Sequence, residues 1–108
     1  MNATIYHNPR CSKSREALRL LQEAGADVEV IEYLKAPPSR EALAALFTAA
    51  GIAPRDALRP EADASARTSD HAALDAMATN SRLIERPIVT TARGTLIARP
   101  PERVRELI

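Results

Sequence analysis

The sequence predicts an α/β domain with a mixed central sheet of about four strands flanked by helices. Three observations carry that expectation. Short β-rich runs alternate with stretches whose apolar residues recur at helical spacing. Glycines and prolines stand at the joints between them. Two β-rich runs enclose a helical stretch near the N-terminus, and two more near the C-terminus flank a glycine turn.

Ala3 to Tyr6 reads as a short buried strand that Pro9 ends. Ser14 to Ala24 carries apolar residues at 17, 18, 20, 21 and 24, an amphipathic helix, with Ser12 as its expected cap and Gly25 as its stop. Val28 to Leu34 is β-rich, so the first helix becomes a right-handed crossover between two parallel strands. Pro37-Pro38-Ser39 breaks and caps, and a helix runs from Arg40 to Ala50 until Gly51. A short helical piece covers Pro54 to Leu58, and Glu61 to Asp70 reads as a loop. Ser69 or Asp70 caps a helix over His71 to Thr79 that buries Leu74 and Met77. Arg86 to Thr90 is a strand entered through a proline, Gly94 marks a turn, and Thr95 to Ala98 pairs back. Pro100-Pro101 opens a last helix, Glu102 to Ile108. No repeat or linker divides the chain, so residues 1–108 are expected to form one domain.

Composition narrows the function. The net charge is +1, which supplies no bulk field towards nucleic acid or membrane. Thirteen of the fifteen basic residues are Arg, a bias that also follows from base composition, so the arginine count alone is no evidence of an anion site. Tyr6, Tyr33 and Phe47 are too few for a base-stacking platform. There is no signal peptide and no apolar run of spanning length, which predicts a cytoplasmic protein.

Cys11 is the only cysteine. It lies in the loop ahead of the first helical turn, where unpaired backbone N–H groups and the positive helix end favour thiolate over thiol. The same N–H groups suit an oxyanion. Pro-Arg before it and Ser-Lys-Ser after it are too polar for a core position. A lone cysteine excludes an internal disulfide, and with only His7 and His71 it makes a poor metal set. Cys11-Ser12-Lys13-Ser14 is C-x-x-S, so a dithiol mechanism lacks its second sulfur. Cysteine phosphatases need an arginine six positions after the nucleophile, and position 17 is alanine. Any anion must therefore be gripped from elsewhere. Ser14 can donate its hydroxyl to the Cys11 sulfur. His7, closing the first strand, either hydrogen-bonds Ser14, supports the thiolate electrostatically, or packs as a neutral histidine. Arg10, Lys13 and Arg15 read as solvated or as a docking surface for an acidic partner. Glu85 reads as a surface charge and His71 as exposed.

Five pieces of the chain stand in a telling order: Ile5-Tyr6-His7-Asn8-Pro9-Arg10-Cys11-Ser12-Lys13-Ser14-Arg15, Tyr33-Leu34-Lys35-Ala36-Pro37-Pro38-Ser39, Leu58-Arg59, Leu83-Ile84-Glu85-Arg86-Pro87-Ile88-Val89, and Gly94-Thr95-Leu96 with Arg99-Pro100. Together with the element order they resemble the glutaredoxin-linked arsenate reductase family, a variant of the thioredoxin-like fold. Arg86-Pro87 matches the position where such folds carry a cis proline beside the active site. Two departures stand out: the segment between Arg59 and Arg86 is shorter than in the best-known members, and Asn80-Ser81-Arg82 replaces a frequent proline.

The resemblance implies Cys11 as nucleophile with Ser14 donating to its sulfur. It also implies Arg59, Arg86 and Arg99 as ligands of arsenate or a similar oxyanion. Each of the three precedes a proline, which restricts the backbone beside the side chain. Planar guanidiniums bind two oxygens at once, which a lysine cannot do. By the same resemblance no cofactor or metal is bound, glutathione is a co-substrate and glutaredoxin restores the cysteine; the protein is expected to be a monomer. Two alternatives remain open. One is a thioredoxin-fold regulator of the kind that grips RNA polymerase, although those usually carry C-x-x-C and a longer tail. The other is a monothiol oxidoreductase in which Cys11 forms a mixed disulfide with glutathione.

Overall fold

A computed structural model describes all residues from 1 to 108. They gather into two compact units, one formed by Met1–Ala36 with Arg86–Ile108 and the other by Pro37–Glu85.

The first unit contains β1 (Asn2–His7), α1 (Ser12–Glu23), β2 (Asp27–Glu32), β3 (Ile88–Thr91), β4 (Gly94–Ile97) and a 3-10 helix over Pro101–Leu107. Its sheet has the order β2-β1-β3-β4. β1 runs parallel to β2, with His7 opposite Glu32, and antiparallel to β3, with Ile5 opposite Val89; β3 and β4 form the hairpin. This is the mixed four-stranded sheet that the sequence predicts.

Two periodicities set the core of this unit. On β1 the alternate residues Ala3, Ile5 and His7 are buried. On α1 the buried residues Ser14, Ala17 and Leu21 follow the three-and-four spacing of a helix face. Ala3, Ile5, Ala17 and Leu21 join Val89, Leu96, Ala98, Val104 and Leu107 in one apolar cluster. The last two residues of these stripes towards the loop, His7 and Ser14, are polar and end up beside each other.

Several boundaries differ from the sequence expectation, for local reasons. α1 begins at Ser12, and the extended residue ahead of it is Cys11 rather than Ser12. The cause is a turn over Asn8-Pro9-Arg10-Cys11, in which the Cys11 N–H donates to the Asn8 carbonyl at 3.0 Å and proline takes its favoured second position. β2 stops at Glu32 because that carbonyl accepts the N–H groups of Lys35 and Ala36 instead of a ladder partner. The last helix is 3-10, and its buried residues Pro101, Val104 and Leu107 recur every third position, the period of that helix. The Arg86–Pro87 peptide is cis, as the resemblance implies, and so is Arg99–Pro100.

The second unit contains α2 (Arg40–Ala50) and α3 (Asp70–Thr79), with 3-10 turns over Pro54–Ala57, Ala64–Arg67 and Ser81–Leu83. Ser39 caps α2 by accepting from the Ala42 N–H, and Gly51 ends it at φ 68°, a left-handed conformation suited to glycine. Ser69, not Asp70, caps α3. The stretch 61–70 is not a bare loop, because the Asp63 carboxylate caps the Ala64–Arg67 turn. Leu58 and Ile84 form an isolated antiparallel bridge.

Leu21 is fully buried, whereas Leu34 is 41% exposed. Leu21→Ala should therefore lower unfolding free energy by about 2–5 kcal/mol, and Leu34→Ala by no more than about 0.5 kcal/mol, in chemical denaturation.

Candidate active site

Cys11 occupies the residue before α1, with φ −91° and ψ 121°, and no side-chain hydrogen bond of the ordinary serine or aspartate kind closes that helix end. The sulfur is partly exposed and unbridged. Burial pushes the thiol pKa up. The Ser14 N–H, the Arg86 side chain as a hydrogen-bond partner and the Lys13 N–H together outweigh burial, and the Arg86 charge adds to them, so the pKa lies below its ordinary value. The amides that the sequence offers to an oxyanion thus serve the sulfur first.

The Ser14 hydroxyl meets His7, one of the alternatives that the sequence leaves open for that histidine. Ser14 Oγ lies 2.6 Å from His7 Nδ1 and accepts the Asn8 N–H at 3.1 Å. The Ser14 hydroxyl is therefore held by His7 and Asn8, while its backbone N–H faces the sulfur. This arrangement satisfies two buried polar groups with each other, as burial requires. His7 is 6% exposed. Burial lowers its pKa, Glu32 across the parallel ladder opposes that, and Arg15 reinforces it, leaving the neutral ring favoured.

Asn8 is a positioning residue that the sequence reading passed over. It accepts the Cys11 N–H on its carbonyl, accepts the Arg10 N–H on Oδ1 at 3.0 Å, and donates its own N–H to Ser14. Asn followed by Pro is a turn signature, so a signal was present. Arg15, read as solvated, donates to the Pro9 carbonyl at 2.9 Å and ties α1 back to the same loop.

The arginines separate by unit. Arg86 partners the Cys11 sulfur. Arg99 donates from Nη1 to the Arg86 carbonyl at 3.1 Å, so within this unit Cys11, Arg86 and Arg99 are linked in series. Arg59 belongs to the second unit, where its Nη1 donates to Glu85 Oε1 at 2.9 Å and its Nε lies 3.5 Å from Glu61. Glu85 is consequently not the surface charge that its sequence neighbours suggest: its side chain is 22% exposed and engaged with Arg59. His71 is exposed as expected, and accepts or shares a bond with Arg40 at 2.7 Å. No cluster of three or more His, Cys, Asp or Glu side chains is placed to hold a metal ion.

The depressed pKa of His7 fixes the sign of a pH effect. A histidine that is harder to protonate when folded contributes stability that is complete above its unfolded value, about 6.5, and is lost as pH falls through the folded value. Urea midpoints should therefore decline as pH is lowered below about 6.5, and His7→Asn, which cannot titrate, should flatten that decline.

The geometry can be set beside known proteins. The ArsC family model matches residues 6–107. An arsenate reductase of Rhizobium meliloti (strain 1021) is 42% identical over an alignment that takes in all of this chain and 82% of that protein. The uncharacterized protein YfgD of Escherichia coli (strain K12) is also 42% identical, over 96% of this chain and 94% of its own. Among solved structures, arsenate reductase from Vibrio cholerae superposes with a TM-score of 0.91 at 40% identity, covering all of this chain and 98% of that one. The fold is thus the thioredoxin-like one of the solved arsenate reductases. With the family model spanning residues 6–107 and a 42% identical relative aligned over the full chain, the chain belongs to the ArsC family.

Proposed function

We propose that this protein reduces arsenate to arsenite through a covalent adduct on Cys11. The observation that carries the proposal is the activated sulfur: a single cysteine whose charge is favoured by the Ser14 and Lys13 amides and by Arg86. The names of its relatives support arsenate as the substrate.

The Cys11 thiolate attacks the arsenic of arsenate. A sulfur–arsenic bond forms, an arsenic–oxygen bond breaks, and the departing hydroxide leaves as water after taking a proton. Arsenic is still pentavalent at that stage. The two electrons must come from outside, because no second cysteine is present. We assign them to two thiols, one from glutathione, which adds to the adduct, and one from glutaredoxin. The sum is arsenate plus two thiols giving arsenite, a mixed disulfide and water, with Cys11 regenerated. No bound cofactor or metal takes part in this scheme.

Arg86, Arg99 and Arg59 are the proposed oxyanion ligands. Arg86 is next to the sulfur, so its guanidinium meets the charge first of the thiolate and then of the arsenate oxygens. Arg99 holds the Arg86 carbonyl and so contributes to its placement. The contribution of Arg59 rests on the resemblance. His7 and Ser14 keep the loop and the sulfur in register, and they need not exchange a proton with substrate. Thiol reductants and a cysteine that must stay reduced place the reaction in a reducing compartment, the cytoplasm, and a monomer suffices.

The test is arsenite formation with glutathione and glutaredoxin. Turnover is expected in the native protein and absent in Cys11→Ser, while Arg86→Ala should raise the arsenate KM by about tenfold or more, the usual cost of a charged hydrogen bond. Absence of turnover in the native protein, or turnover that survives Cys11→Ser, overturns the proposal. Formation of a glutathione mixed disulfide without arsenite would favour the monothiol alternative.

A further inference from the structure

Arg59 already has a carboxylate for company, and the local backbone keeps it there. Leu58 and Ile84 pair as an antiparallel bridge, flanked by hydrogen bonds of 2.8 Å from the Arg59 N–H to Leu83 and from the Glu85 N–H to Ala57. Along such a pair, residues 59 and 85 face one side while the buried Leu58 and Ile84 face the other. The Arg59–Glu85 contact, at 2.9 Å, joins side chains that are only 20% and 22% exposed. Glu61, the other acidic neighbour, lies farther away at 3.5 Å and is 57% exposed, so water can take it over. Glu85 has no such freedom, and an anion that reaches Arg59 must come to terms with its carboxylate.

We propose that Glu85 makes Arg59 selective for tetrahedral oxyanions that carry a proton, and therefore for arsenate over sulfate. The proposal rests on Arg59 being an oxyanion ligand, as set out above. Near neutral pH arsenate retains a proton. Its hydroxyl can donate to Glu85 while its bare oxygens accept from the Arg59 guanidinium, so both side chains stay satisfied. Sulfate has no proton to give. Each of its oxygens is an acceptor, and one of them would face a carboxylate of like charge with no hydrogen between them. Phosphate shares the protonation of arsenate, so Glu85 accepts both and rejects only the proton-free ion. A site built around a donor on its ligand rejects the analogue that lacks it far more strongly than an apolar pocket rejects a methylene.

Arsenite formation with sulfate as competitor tests this. Glu85→Gln removes the like charge and supplies an N–H donor, so the sulfate inhibition constant should fall about tenfold or more relative to the arsenate KM. Glu85→Asp keeps a carboxylate and should hold that ratio within about threefold of the native value. The ratio compares two constants on the same active molecules, so a loss of folded protein does not alter it. The proposal is overturned if Glu85→Gln leaves the ratio unchanged while Arg59→Ala still raises the arsenate KM. If Arg59→Ala leaves the arsenate KM unchanged, the oxyanion role of Arg59 falls, and the selectivity of Glu85 falls with it.

Discussion

The placement of one sulfur at the open end of α1 is the constraint on which the rest of the first unit depends. A helix begins with N–H groups that have no partner within it, and an oxygen side chain ordinarily answers them. Here the residue at that position is Cys11, and the Lys13 and Ser14 amides act on its sulfur together with Arg86. The helix end and the Arg86 guanidinium therefore stabilise the same thing, a negative charge at one point. Burial works against that charge, and the balance still favours it. The two amides and the guanidinium suffice to lower the thiol pKa.

Holding the sulfur there is a matter of packing as much as electrostatics. Ser14 shares a helix face with Ala17 and Leu21, and His7 shares a strand face with Ala3 and Ile5. The apolar members of both stripes fix the helix on the sheet through a common cluster. The polar members then meet at 2.6 Å, next to the loop that carries Cys11. Turning α1 about its axis would separate His7 from Ser14 and strand both buried groups, at a cost of about 1–3 kcal/mol each. Asn8 closes the loop from the other side, using its carbonyl, its side chain and its N–H in three separate bonds.

What the sequence reveals, and what it hides, follows the range of the interactions. α2 could be placed to the residue, because Ser39, Gly51 and the apolar spacing between them are all local signals. The hairpin and the βαβ unit were legible for the same reason. Cys11 stands out as the candidate nucleophile because its setting, a strand end, a proline and a helix start, is contained in a few neighbouring residues. The start of α1 is harder to read, since Ser12 is a good cap by residue type and nothing at it announces that the turn from Asn8 has already extended Cys11. The pairing of Arg59 with Glu85 spans 26 positions and leaves no local trace, so Glu85 looked like an ordinary surface charge. Spacing alone cannot tell the Ser14 hydroxyl, which meets His7 and Asn8, from the N–H of the same residue, which acts on the sulfur.

The charge on the Cys11 sulfur is the claim on which the chemistry stands, and a single cysteine makes it directly measurable. Thiolate absorbance in the ultraviolet, followed against pH with Cys11→Ser as the blank, reports that sulfur alone. The account predicts a midpoint below about 8.5, the value of a free thiol, and a rise towards it in Arg86→Ala. A native midpoint at or above about 8.5, or one that Arg86→Ala does not move, would contradict it.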